Sequence, residues 1–177
     1  MDALKKEEFY TIDDIYALPE GERAELIDGK LYNMAPPNTR HQRLVHFFDR
    51  EIGNYIQRKN GECEVFPSPF AVFLNEDDVN YVEPDISVIC DKNKLDDQGC
   101  HGAPDWIIEI VSPGSKSMDY MTKLFKYWTA GVREYWIVDP MRGQVTVYGF
   151  EKDIVEQYSF GEEMAVGIYE DFSITIE

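Results

Sequence analysis

The chain has 177 residues, with 34 Asp and Glu against 17 Lys and Arg, a formal net charge of −17. Hydrophobic residues make up 44% and aromatics 14%, enough for the packed core of one ordinary domain, 1–177, and too much for a disordered chain. No apolar run approaches the roughly 20 residues of a membrane helix, the opening MDALKKEEFY is charged where a signal segment is apolar, and such acidity repels nucleic acid on average.

The expectation is therefore a cytoplasmic protein. Its three cysteines, Cys63, Cys90 and Cys100, are odd in number and lack C-x-x-C spacing. Neither a disulfide framework nor a structural zinc site is expected. Thr11, with Asp14 three residues on, opens a short helix that runs to Leu18, before Pro19. RAELIDGKLYNM alternates about Asp28-Gly29, a hairpin signal that puts Glu25 and Ile27 on one face of its first strand.

Residues 39–59 carry the longest helical pattern. Leu44, Val45, Phe48, Ile52, Tyr55 and Ile56 form one apolar face, with Asn38 as N-cap and Gly61 as the stop. Arg40, Arg43, Arg50 and Arg58 gather opposite, a basic stripe or simply a solvated face, and His41 falls at the edge of the apolar face. Strands follow at 62–66, 70–74, 85–90 and 106–111, with Glu76-Asp77-Asp78 and 91–103 as loops. A helix over 117–130 takes Met121, Leu124, Phe125 and Trp128 as its core stripe, leaves Lys123 on a polar side with Tyr120 and Tyr127, and stops at Gly131. Strands at 134–138, 144–150, 154–159 and 172–176 complete the chain. This order predicts an α/β fold: a central mixed β-sheet flanked by helices, an N-terminal hairpin and a β-rich C-terminal tail.

Chemistry enters in PDWIIEIVSP, residues 104–113, where Glu109 sits among Trp106, Ile107, Ile108, Ile110 and Val111. A carboxylate in such a run must be paired, protonated or bound to a metal. Asp85 opens another strand behind Pro84. On neighbouring strands the two acids would converge, a natural site for Mg²⁺, which takes oxygen ligands. A buried ion pair for Glu109 and a plain strand start for Asp85 remain open. Lys123, with Asp119 four residues earlier, is the natural cation of such a site and equally one member of a solvated helix face. Asp105 stands about 13 Å from Glu109 along a strand, too far to share one ion.

Four segments then read together: Val82-Glu83-Pro84-Asp85; Ala103-Pro104-Asp105 with Glu109 and Ser112-Pro113; Asp119, Lys123 and Tyr127; and Gly131-Val132-Arg133-Glu134-Tyr135-Trp136-Ile137-Val138-Asp139-Pro140. They resemble the bacterial restriction-endonuclease-type domains of the PD-(D/E)XK nuclease superfamily, which Glu25–Gly29 and His41-Gln42 also match. The resemblance implies a restriction-endonuclease-like fold, Mg²⁺- or Mn²⁺-dependent hydrolysis of nucleic-acid phosphodiesters, DNA foremost, and a homodimer. It makes Asp85 the acid of the P-D element and Glu109 the (D/E) position. Val111 stands where the usual lysine would be, and Lys123 matches a lysine moved to the following helix. Glu25 completes the catalytic set, with His41, Asp119 and Tyr127 as accessory residues. The Ile110 carbonyl joins Asp85 and Glu109 as a metal ligand, and Arg40 and Arg43 are the candidate nucleic-acid contacts. Two other classes stay open: a catalytically inactive dimeric scaffold of the same fold, and a metal-dependent hydrolase of a small phosphoester. No G-x-S-x-G supports a serine hydrolase.

Overall fold

The computed structural model describes residues 8–75 and 77–177; the charged opening segment 1–7 and Glu76 of the acidic loop lie outside them. α1 (Ile12–Tyr16) starts behind Thr11, whose backbone N–H donates to Asp14 Oδ2 at 2.8 Å. β1 (Ala24–Ile27) and β2 (Lys30–Asn33) pair antiparallel around Asp28 and Gly29 at φ 49° and 72°. Two successive positive φ values define the hairpin turn that Asp-Gly suits. α2 (Thr39–Lys59) is capped by the Asn38 side chain, which accepts from the His41 N–H at 2.9 Å. Its stop comes one residue before the expected glycine. Asn60 takes the left-handed position at φ 49°, and the Gly61 N–H returns to the Ile56 carbonyl at 2.9 Å.

β3 (Glu64–Pro67), β4 (Val72–Phe73), β5 (Ile86–Ile89), β6 (Cys100–His101) and β7 (Trp106–Ile110) follow. A π-helical turn, Met118–Lys123, runs into α3 (Leu124–Ala130), which ends at Gly131 with φ 95°. β8 (Glu134–Asp139), β9 (Gln144–Gly149), β10 (Ile154–Ser159), β11 (Met164–Ala165) and β12 (Ser173–Ile174) finish the chain. Six strands form one sheet in the order β10-β9-β8-β7-β5-β3. β7 and β8 are parallel, joined by the α3 crossover, and the other neighbours are antiparallel. β4 with β6 and β11 with β12 make two small satellite sheets.

Strand alternation divides the core. Ile86, Val88, Trp106, Ile108, Ile110, Trp136 and Val138 pack towards Phe48 and Ile52 of α2. There Trp136 meets Phe48 and Trp106 edge-on, with ring centroids 6.3 and 5.0 Å apart. Residues of the other parity, Ile89, Ile107, Val111, Tyr135 and Ile137, pack with Tyr127 of α3. Glu109 shares the parity of Ile107 and Val111, so it points to the α3 face. Both faces of the sheet are covered, which explains why β5, β7 and β8 read as continuous apolar runs. Among the described residues no helix is long and apolar enough to cross a membrane.

Two expectations are overturned. The stripe assigned to the core on the helix after β7 faces outward: Met121, Phe125 and Trp128 are 69%, 58% and 58% exposed, while Asp119, Lys123 and Tyr127 are buried. The polar side lies inward because it finds charged and hydrogen-bonding partners there. The second concerns the cysteines. Cys63 and Cys90 form a disulfide; they lie one step beyond the Glu64↔Ile89 pair of β3 and β5, so the antiparallel register sets them face to face. Cys100 is free and buried.

Candidate active site

Register positions the two acids. β5 and β7 pair Ile86 with Ile108, and one step further sets Asp85 opposite Glu109 on the α3 face. Residues directly opposite in an antiparallel pair have Cβ atoms about 5 Å apart. Asp85 Oδ2 accepts from the Ile110 N–H at 2.7 Å and meets His41 Nε2 at 3.0 Å. Burial pulls the His41 pKa down, but the Asp85 carboxylate outweighs it and holds the imidazole above its ordinary value. Asn38, which caps α2, thereby also fixes the first helical turn, from which His41 reaches the sheet.

Glu109 Oε1 accepts from the Tyr127 hydroxyl at 2.7 Å and from Lys123 Nζ at 2.9 Å. Lys123 Nζ also lies 2.8 Å from Glu25 Oε2 and 3.8 Å from Asp119 Oδ1. The π-turn carries both Asp119 and Lys123 inward; such turns are rare and frequently stand at functional sites. Asp119 is fixed by the Ser115 hydroxyl at 2.7 Å, and its own carbonyl accepts from the Tyr135 hydroxyl at 3.1 Å. Glu25 ties the hairpin in through the Glu83 N–H, which donates to its Oε1 at 3.0 Å.

Burial raises the Glu109 pKa well above the carboxylate range; the Lys123 ammonium opposes this, and the charges of Asp119, Asp85 and Glu25 add to it. Burial also raises Asp119. For Lys123 burial works downward, but Glu109, Glu25 and Asp119 carry its pKa well above the usual lysine value. The ammonium therefore stays charged. Burial and the same carboxylates lift the Tyr127 phenol well above its ordinary value, so it remains a donor.

These groups open on a cavity of about 720 Å³ lined by Glu25, His41, Asp85, Glu109, Asp119 and Lys123. Among the described residues no three His, Cys, Asp or Glu side chains converge as a ready-made metal cluster; the Lys123 ammonium stands among Glu25, Glu109 and Asp119. The ligands expected from the sequence, two carboxylates and a carbonyl, are all oxygen, a donor set that fits a hard divalent cation. Asp105 is elsewhere engaged. It accepts from the Cys90 N–H at 2.7 Å and from Arg133 Nη1 at 3.2 Å.

A second network in the cavity wall was not foreseen. Arg23 Nε donates to Glu83 Oε2 at 2.8 Å, Arg23 Nη2 to Ser68 Oγ at 3.0 Å, and the Tyr81 hydroxyl to Glu83 Oε1 at 2.8 Å. The signal was alternation: Arg23 precedes Glu25 by two and Glu83 precedes Asp85 by two, so each flanks a site residue on the same side of its segment. Arg40 and Arg43 are exposed in the first turns of α2, beside Asn38, His41 and Gln42 of the cavity wall. Arg50 is paired with Glu51 at 3.4 Å.

The family model described as "Putative restriction endonuclease" (Uma2) matches residues 7–177. No curated protein sequence matches the chain. Among solved structures it is similar to a protein from Anabaena variabilis described as "a putative nuclease belonging to DUF820", with a TM-score of 0.68, 24% identity, and coverage of 88% of this chain and 86% of that one. That likeness carries the fold, a mixed sheet flanked by helices in the restriction-endonuclease-like arrangement. By the family match over nearly its whole length, the chain belongs to the Uma2 family of putative restriction endonucleases.

Proposed function

We propose that the chain is a divalent-metal-dependent endonuclease that hydrolyses phosphodiester bonds of nucleic acid, DNA foremost, as a homodimer in the cytoplasm. The supporting observation is the charge imbalance around Lys123. Its ammonium contacts Glu25, Glu109 and Asp119 at once, and Asp85 stands across the strand pair from Glu109. Among the described residues these four carboxyl groups face only Lys123 and His41, and burial with mutual repulsion raises the pKa of Glu109 and Asp119, an acidic excess that a divalent cation would relieve.

Asp85, Glu109 and the Ile110 carbonyl would hold Mg²⁺ or Mn²⁺, which when bound supplies charge neutralisation at the phosphoryl group and activation of water. Lys123, held protonated, does not act as a base near neutral pH. It places its N–H donors towards the cavity and stabilises charge developing on phosphoryl oxygens. Glu25 and Asp119 fix the ammonium from two sides, and Tyr127 fixes the Glu109 carboxylate. His41 holds Asp85 towards Ile110. Arg40 and Arg43, without an ion-pair partner among the described residues, meet the nucleic-acid backbone at the rim. With a net charge of −17, binding is weak and falls with salt.

The test pairs Mn²⁺ titration calorimetry with plasmid nicking, on wild type, Asp85→Ala and Glu109→Ala. Binding and nicking by wild type, both lost in either variant, support the reading. Nicking that survives both substitutions overturns it. Binding without nicking moves the substrate to a small phosphoester, and no binding leaves an inactive scaffold.

A further inference from the structure

The outward stripe of the π-turn and α3 is one wall of a surface feature. Met121, Phe125 and Trp128 stand on one side, and Ile154 and Val155 of the edge strand β10, 38% and 65% exposed, on the other. Between them runs an apolar groove of about 430 Å³ floored by Tyr148 and Phe150. Phe125 and Trp128, aromatic rings of roughly 150–250 Å² each, and the smaller Met121, Ile154 and Val155 together expose several hundred Å², the size of the largest apolar patch on an ordinary monomer.

We infer that a second copy of this chain covers this patch, with the two-fold axis passing through it. Area is the first reason. A standard interface buries about 800 Å² per partner, and homodimer interfaces are roughly 65% apolar, which asks for about 520 Å² of apolar surface from each side; the patch supplies the larger part of it. Shape is the second. A two-fold contact uses the same patch twice, so it must carry both a projection and a recess. Here Trp128 and Phe125 project beside a groove large enough to receive an aromatic ring. The π-turn and α3 carry Lys123 and Tyr127 on their inner side, so the partner would sit directly behind two residues of the site. This surface specifies the homodimer of the reading above and stands or falls apart from the hydrolytic chemistry.

Sedimentation equilibrium of the full chain tests it, with Trp128→Glu and Val155→Lys as variants. The expected result is a dimer whose dissociation constant falls as salt rises, because two chains of −17 repel less when screened. Each variant weakens it about tenfold or more, the usual consequence of losing a buried interface anchor. Far-UV circular dichroism stays unchanged, and so does the unfolding midpoint at concentrations where both proteins are monomeric, since both side chains are exposed in the single copy. A wild-type chain that stays monomeric at high concentration and high salt overturns the inference. So does a dimer that neither substitution weakens, and so does a monomer that uses the patch only for a basic protein.

Discussion

Replacing Lys123 by methionine removes the ammonium and keeps most of the volume of the side chain. It strands Glu25 and Glu109, both buried, at contacts of 2.8 and 2.9 Å. Removing one member of a buried charge pair costs about 3–5 kcal/mol when the other stays ionised, a large part of the 5–15 kcal/mol that stabilises a typical domain. Protonation offers an escape, and it fixes the sign of the pH dependence. Glu109 is already pushed up by burial, with Lys123 as the opposing influence. Without Lys123 the folded-state pKa rises further above the unfolded value of about 4.3. A raised carboxylate pKa contributes stability that is present below the unfolded pKa and is lost as pH rises through the folded one. The variant should therefore resemble wild type near pH 4.5 and fall behind it by roughly 3–5 kcal/mol by pH 8, a shift of about 6–20 °C in Tm for a chain of this size. Urea unfolding of both proteins across that range measures it. An equal deficit at both ends, or less than about 1 kcal/mol at pH 8, would place Lys123 outside a buried charge network and would refute the reasoning.

Tyr127→Phe deletes one donor to Glu109 at 2.7 Å while Lys123 still satisfies that oxygen, so a loss of about 1–2 kcal/mol is expected in thermal unfolding. Arg40→Ala with Arg43→Ala should weaken binding of a short DNA duplex irrespective of its sequence and flatten the salt slope by roughly 2; titration at three ionic strengths reads both, and an unchanged slope excludes these arginines from the contact. Reduction of Cys63–Cys90, 27 residues apart, should cost up to about 3.5 kcal/mol by freeing the loop in the unfolded chain. Denaturant midpoints with and without a thiol reductant check it, and the oxidation state in freshly lysed cells tells whether the bond forms in the cell.

Much of the fold lay open in local patterns. Asp28-Gly29 announced its turn through the conformations only such residues adopt cheaply, and Asn38 announced a helix start because its side chain replaces a missing backbone acceptor. Parity alone put Glu109 on one face of its strand, and a Pro-Asp ahead of a second apolar run supplied its neighbour. What stayed hidden depends on register between strands far apart in sequence. Cys63 faces Cys90, and Arg23 meets Glu83, through pairings that no single segment specifies.

The helix after β7 shows the deeper limit. Spacing divided it correctly into an apolar stripe and a polar side, but periodicity does not say which of the two the protein buries. Apolar-inward is the cheaper choice for a helix on a bare sheet. It stops being cheaper when the sheet already carries carboxylates at Asp85 and Glu109 and the hairpin delivers Glu25. An apolar stripe set over those groups would leave buried charge unpaired at several kcal/mol each, far more than one exposed aromatic side chain costs. Lys123 and Tyr127 are thus drawn inward by acids more than ten residues away in sequence, and Met121, Phe125 and Trp128 are left outside as the consequence. The exposed stripe and the buried ammonium are two sides of one decision, so a chain that keeps the second must find something to cover the first.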